Sequence, residues 1–174
     1  MSLETHVLPA AGSKAGRFKL RPRARRALLT LHIVAGVGLL GSVAAVLAIN
    51  ITAAGTTDPG LAAASYDLLA MFTVLFGIPL SLTALATGIL LGLSSAWGVL
   101  RYAWVVAKLG LLIGVLLVGA LVLGPGTEAM RSGEGGAEAR LIAGSAYDVG
   151  ALLTDTGLSV FKPRRRRRRA VSRR

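Results

Sequence analysis

Charge and apolarity are segregated along this chain, and the segregation limits its fold more than any motif does. The run ALLTLHIVAGVGLLGSVAAVLAIN, residues 27–50, contains no Asp, Glu, Lys or Arg. Two further blocks are nearly as apolar: 61–93 carries only Asp67, and 101–123 carries only Arg101 and Lys108. About 20 residues rising about 1.5 Å each cross a hydrocarbon layer about 30 Å thick, so blocks of this length predict transmembrane helices. Inside lipid the backbone must pair its own N–H and C=O groups, which leaves helices or closed barrels. The period-two alternation of barrel strands is absent. A soluble domain of 174 residues could fold round one core, but its charges would be spread along the chain.

The chain divides into an arm, a bundle and a tail. Residues 1–26 hold seven Lys and Arg with Pro9 and Pro22 and no apolar period, and read as a disordered basic arm. Span 1 is expected at about 27–50. A cleaved signal peptide would have an apolar core of about 7–15 residues and a small-residue cleavage site, and this run is longer and lacks one. Asp58-Pro59-Gly60 in the following loop has tight-turn composition. A short helical lead-in then precedes span 2 at about 67–93, with Pro79 near its middle expected to kink it. Span 3 is expected at about 101–123, a Gly-rich polar loop at 124–139, and span 4 at about 140–161. Residues 162–174 form a polyarginine tail. The bundle therefore occupies 27–161.

Span 4 is the ambiguous one, because it contains Asp148 and Asp155. Counting basic residues decides it, since Lys and Arg flanking spans concentrate on the cytoplasmic side. The arm holds seven, the turn after span 2 holds Arg101, and the tail holds nine. The 51–66 loop holds none, and the 124–140 loop holds Arg131 and Arg140. Four crossings put 17 basic residues inside and two outside. Three crossings would export the nine-residue basic tail. The expected fold is thus all-α: an integral membrane four-helix bundle, up-down-up-down, with both termini cytoplasmic. Small residues are expected to let the helices approach at Gly38 and Ser42, Gly88 and Gly92, and Gly110 and Gly114.

Ionisable residues inside spans are expensive, and they mark structural or functional contacts. Counting from the cytoplasmic edge places His32, Lys108 and Asp155 each about 8–9 Å deep. Lys108 therefore has two readings: a pair with Asp155 inside the bundle, or a stem threaded along lipid with its ammonium among the headgroups. Asp148 and Asp155 are seven residues apart and share an inward face, with Gly144, Ser145 and Ser159 beside it. His32, Lys108, Asp148 and Asp155 form the candidate buried polar network. His32 alone is a weak candidate for haem or metal, because no second ligand accompanies it; no cofactor is expected.

Trp97, Tyr102 and Trp104 fit an interfacial aromatic belt, with Arg101 on phosphate headgroups. Lys162, Arg164, Arg165, Arg166, Arg167, Arg168 and Arg169 fit an anionic-lipid anchor. Polycations also bind nucleic acid, but no aromatic or folded module accompanies this run to give specificity. With no cysteine, thiol chemistry and disulfides are excluded.

The pieces LHIVAGVGLLG, FGIPLSLTALATGILLGLSSAWGVLRYAWVVAKLGL and VFKP with its basic tail resemble a family of small predicted integral membrane proteins of GC-rich bacteria, grouped as a domain of unknown function. The resemblance spans about residues 28–163, and WGVLRYAWVVAKL is its most specific part. LHI is more loosely similar to four-helix membrane proteins of the copper-resistance D kind. The resemblance implies a four-span fold and no particular activity. Asp148 and Asp155 depart from the more apolar fourth span it implies.

No nucleophile–base pair, phosphate loop or metalloprotease motif occurs. The leading expectation is a non-enzymatic protein of the bacterial cytoplasmic membrane, accessory or structural. Its expected partners are the bilayer, anionic phospholipids, and a second copy or another membrane protein. One alternative is a small ion, proton, haem or metal-linked protein using His32, Lys108, Asp148 and Asp155. Another is a membrane tether for nucleic acid through the arginine tail.

Overall fold

The computed structural model describes residues 20–94 and 103–161. Most of the basic arm, the turn holding Trp97, Arg101 and Tyr102, and the tail holding Lys162 and Arg164 to Arg169 lie outside the described residues. The described chain is all-helical and contains four helices. Helix α1 is Pro22–Gly55. Helix α2 runs Pro59–Leu93 without a break. Helix α3 runs through Ala103–Val118, Gly119–Leu123 and Gly124–Arg131, and α4 is Ala137–Phe161.

Helix α1 starts earlier than the charge boundary predicts. Pro22 occupies its first turn, where a missing N–H costs nothing, so Arg23, Arg25 and Arg26 belong to the helix rather than to the arm. At its far end, Asp58, Pro59 and Gly60 start α2 instead of forming a free-standing turn. Asp58 Oδ1 accepts from Gly60 N at 2.8 Å, and Pro59 takes the first helical position. Residues 61–66 continue straight into span 2.

Two prolines lie inside continuous helices, each just after a π turn. Residues Thr73–Gly77 form a π turn in which Ile78 N–H donates to Thr73 O, and Pro79 follows two residues after its end. Residues Gly119–Leu123 repeat the device, with Gly124 N–H donating to Gly119 O just ahead of Pro125. A proline ring collides with the carbonyl four residues back, and the wider π turn moves that carbonyl away. As a result α3 continues to Arg131, through half of the segment expected to be loop. It ends in a Schellman motif: Glu134 N–H donates to Ala129 O, Gly133 N–H to Met130 O, and Gly133 has φ 76°.

Helix α1 packs against α2 on one side and α4 on the other, and α3 packs against α4. The buried face of α1 runs Ala35, Leu39, Ser42, Val46, Asn50, Ala53, a three-and-four spacing that makes a single stripe. Leu39 and Val43 meet Val115 of α3 and Ala151 and Leu152 of α4. Val46, Leu69, Leu123 and Leu141 form a second cluster toward the other end. The outward faces are apolar too: Val37, Val74 and Leu121 are all more than 60% exposed. Such a surface is a liability in water and suited to lipid. The helices Pro22–Gly55, Pro59–Leu93 and Trp104–Arg131 are long and apolar enough to cross a membrane.

Candidate functional site

Helix α4 carries its polar groups inward. Asp155 and Ser159 lie one turn apart on the face toward α3. Lys108 Nζ sits 3.3 Å from Asp155 Oδ2 and donates to Ser159 Oγ at 2.6 Å. Ser159 Oγ in turn donates to Asp155 O at 3.1 Å. The two charged side chains are only 21% and 25% exposed. Lys108 is therefore turned into the bundle as a clasp between α3 and α4, and the headgroup-seeking arrangement is not the one adopted.

His32 makes a separate contact. Its Nδ1 lies 3.1 Å from Ala84 O and 2.9 Å from Thr87 Oγ1, joining α1 to α2. A carbonyl oxygen only accepts, so this geometry assigns the proton to Nδ1 and leaves Nε2 with the lone pair. The Thr87 hydroxyl donates to Thr83 O at 2.6 Å and so receives from the imidazole. His32 is within electrostatic reach of Lys108 and Asp155 without bonding either. Gly88 is packed under the ring, and a Cβ there would lie 3.2 Å from His32 Cε1.

Toward the opposite end, Asn50 of α1 donates from Nδ2 to Ser145 Oγ of α4 at 3.3 Å. Ser145, fully buried, passes its own proton to Leu141 O at 2.7 Å. Between this contact and the Lys108 clasp lies Asp148, 2% exposed, whose Oδ1 has no hydrogen-bond partner. Two exposed ion pairs close that end: Arg131 with Asp67 at 2.6 Å and Arg140 with Glu134 at 2.9 Å.

The four residues of the expected network thus fall into three places: a Lys108–Asp155 pair, a His32–Thr87 contact, and Asp148 by itself. Thr87 and Asn50 escaped the sequence reading. Asn50 left one signal, its place on the apolar stripe of α1. Trp104 is half-buried near the start of α3. Among the described residues no three His, Asp or Glu side chains come together as a metal site. An apolar groove of about 410 Å³ opens between α1 and α2, lined by Gly38, Gly41, Phe72, Phe76 and Leu80 among others, and no charged residue lines it.

Comparison of the chain with protein-family models, with curated proteins and with solved structures finds no match.

Proposed function

We propose that this chain is a non-enzymatic protein of a bacterial cytoplasmic membrane, an accessory or structural bundle that crosses four times, up-down-up-down, with both termini inside. One observation carries the reading: α4 keeps both aspartates of its central length on the face packed between α1 and α3. Residues 141–161 span about 31 Å, matching the hydrocarbon layer. Asp148 is buried and Asp155 is paired with Lys108. The hydroxyls of Thr154 and Thr156 are satisfied by Gly150 O and Leu152 O, so they add little cost to the fourth crossing.

Charge supports the same orientation. Seventeen basic residues fall inside and two outside. The two outside, Arg131 and Arg140, are each offset by a carboxylate partner. The tails would lie on anionic phospholipid, each basic residue adding about 1 kcal/mol near the surface.

The chain has no cysteine, so Ser172→Cys supplies a single reporter. The expected result is no reaction with a membrane-impermeant maleimide on intact cells and full reaction after lysis. Labelling on intact cells would mean an exported tail and would overturn the proposal.

A further inference from the structure

Among the described residues, Asp148 is a fully buried ionisable side chain with nothing to balance it. Its Oδ1 meets no donor. Two buried polar groups toward one end of α4 bond each other and the backbone: the Ser145 hydroxyl donates to Leu141 O, and the Asn50 amide to Ser145 Oγ. Every charged group of the elements packed round it is also engaged or distant. On α4 itself, Asp155 lies seven residues on, about 10 Å along the axis. On α3, Lys108 is held by Asp155 and Ser159. On α1, His32 is held by Ala84 and Thr87, and Arg23, Arg25 and Arg26 lie further from Asp148 still, six or more residues before His32 in the first turns of the helix. At the other end of the bundle, Arg131 and Arg140 are paired with Asp67 and Glu134, and Glu128 and Glu138 lie at the termini of α3 and α4. The same face of α4 offers Asp148 only Gly144, Ala151 and Leu152 besides Ser145.

A bare carboxylate in such a place is heavily penalised, because no cation or donor replaces the water it has lost. The residue would be tolerated most easily as a leucine, yet it is an acid in the middle of the helix. We propose that Asp148 is a proton-binding site, a carboxylic acid within the bundle that takes up and releases H⁺. Uptake forms one O–H bond on a carboxylate oxygen and transfers no electrons. The ligand is a proton rather than a metal ion, because a metal needs several oxygen or nitrogen ligands and, among the described residues, no three His, Asp or Glu side chains come together. This inference rests on α4 lying inside the bilayer as proposed above.

The test uses the full chain carrying Ser172→Cys, its topology read on intact cells before the protein is purified into liposomes. Dicyclohexylcarbodiimide partitions into lipid and reacts with a protonated carboxyl. The acid O–H adds across a C=N bond, with no leaving group, and the adduct rearranges to a stable acylurea. Peptide mass spectrometry is expected to find the adduct on Asp148, to show it fading as pH rises, and to find none there with a water-soluble carbodiimide. The infrared spectrum of the parent minus that of Asp148→Asn is expected to contain a protonated-carboxyl C=O band that shifts in D₂O and disappears at alkaline pH. Ionised-carboxylate bands for Asp148 at every pH would overturn the proposal, as would a protonated band that never titrates. The adduct is mapped on the unsubstituted residue, so the test survives a failure of Asp148→Asn to fold. A protected Cys reporter with no titrating Asp148 defeats this inference alone. An externally labelled reporter defeats the four-crossing proposal instead.

Discussion

Replacing Lys108 and Asp155 by leucine, singly and together, tests whether the clasp holds α3 to α4. At 3.3 Å and an effective dielectric constant of about 20, the two charges attract by about 5 kcal/mol. Withdrawing each ion from water costs several kcal/mol, so the pair as a whole is close to neutral against two well-packed leucines. A single replacement differs sharply, because it strands a partly buried charge at a cost of about 3–5 kcal/mol. Asp155→Leu belongs at the low end of that range, about 3 kcal/mol, since Lys108 keeps its Ser159 bond and some exposure to solvate it. Lys108→Leu belongs higher, because Lys108 is the donor that Asp155 Oδ2 has across the interface.

The double variant is expected within about 1 kcal/mol of the natural protein, giving a coupling energy of at least about 5 kcal/mol. The assay is reversible unfolding of the full chain in mixed micelles by added denaturing detergent, followed by far-ultraviolet circular dichroism. All three variants and the parent are measured in one micelle composition. If the single effects simply add to within about 0.5 kcal/mol, the two residues do not act on each other. That outcome would refute the clasp and restore the arrangement in which Lys108 solvates itself among headgroups. Ser159→Ala provides a graded check, with an expected loss of about 1 kcal/mol.

Three further predictions concern helix packing. Ser145→Ala leaves the buried Asn50 amide without its acceptor and is expected to cost about 1–3 kcal/mol in the same unfolding assay. Gly144→Ala places a Cβ 3.1 Å from Val122 and 3.3 Å from Leu123 and Val118, stiff or packed neighbours that must move, at an expected cost of about 1–3 kcal/mol. Gly110→Ala, with nothing within 4 Å of the added carbon, is expected to be neutral or to stabilise by up to about 1 kcal/mol.

The contrast between these two glycines shows where sequence reading stopped. Small residues in a span are visible, but which of them meet a neighbour depends on helix rotation. Gly110 lies open and Gly144 is wedged against three side chains of α3, though nothing in composition separates them. The same holds for the helix ends. Gly124-Pro125-Gly126 has the composition of a loop in water, where exposed glycine and proline favour turns. Here the π turn at Gly119–Leu123 makes room for Pro125, and Gly126 lies directly against Leu141 of α4, so packing carries the helix on to Arg131. The prolines were legible as disturbances; the device that absorbs them was not, because it depends on a carbonyl shifting its partner by one residue.

Charged residues were the easiest part of the site to find, since in an apolar chain each one stands out. Their partners were harder, because partnership is a matter of register between helices far apart in sequence. Thr87 meets His32 across 55 positions and leaves no local signal. The register of α3 on α4 is set by close approaches at Gly126 to Leu141, Gly144 to Val118, and Gly114 to Tyr147. With those fixed, Lys108 falls opposite Asp155 and Ser159. Two turns earlier on the same face of α4, Asp148 is buried and its Oδ1 meets no donor. A seven-residue spacing thus puts both carboxylates inside while a single lysine serves only one of them. Adding a second lysine opposite Asp148 would have made a ladder of structural clasps; leaving it unmatched is what gives that carboxyl a different chemistry from its neighbour.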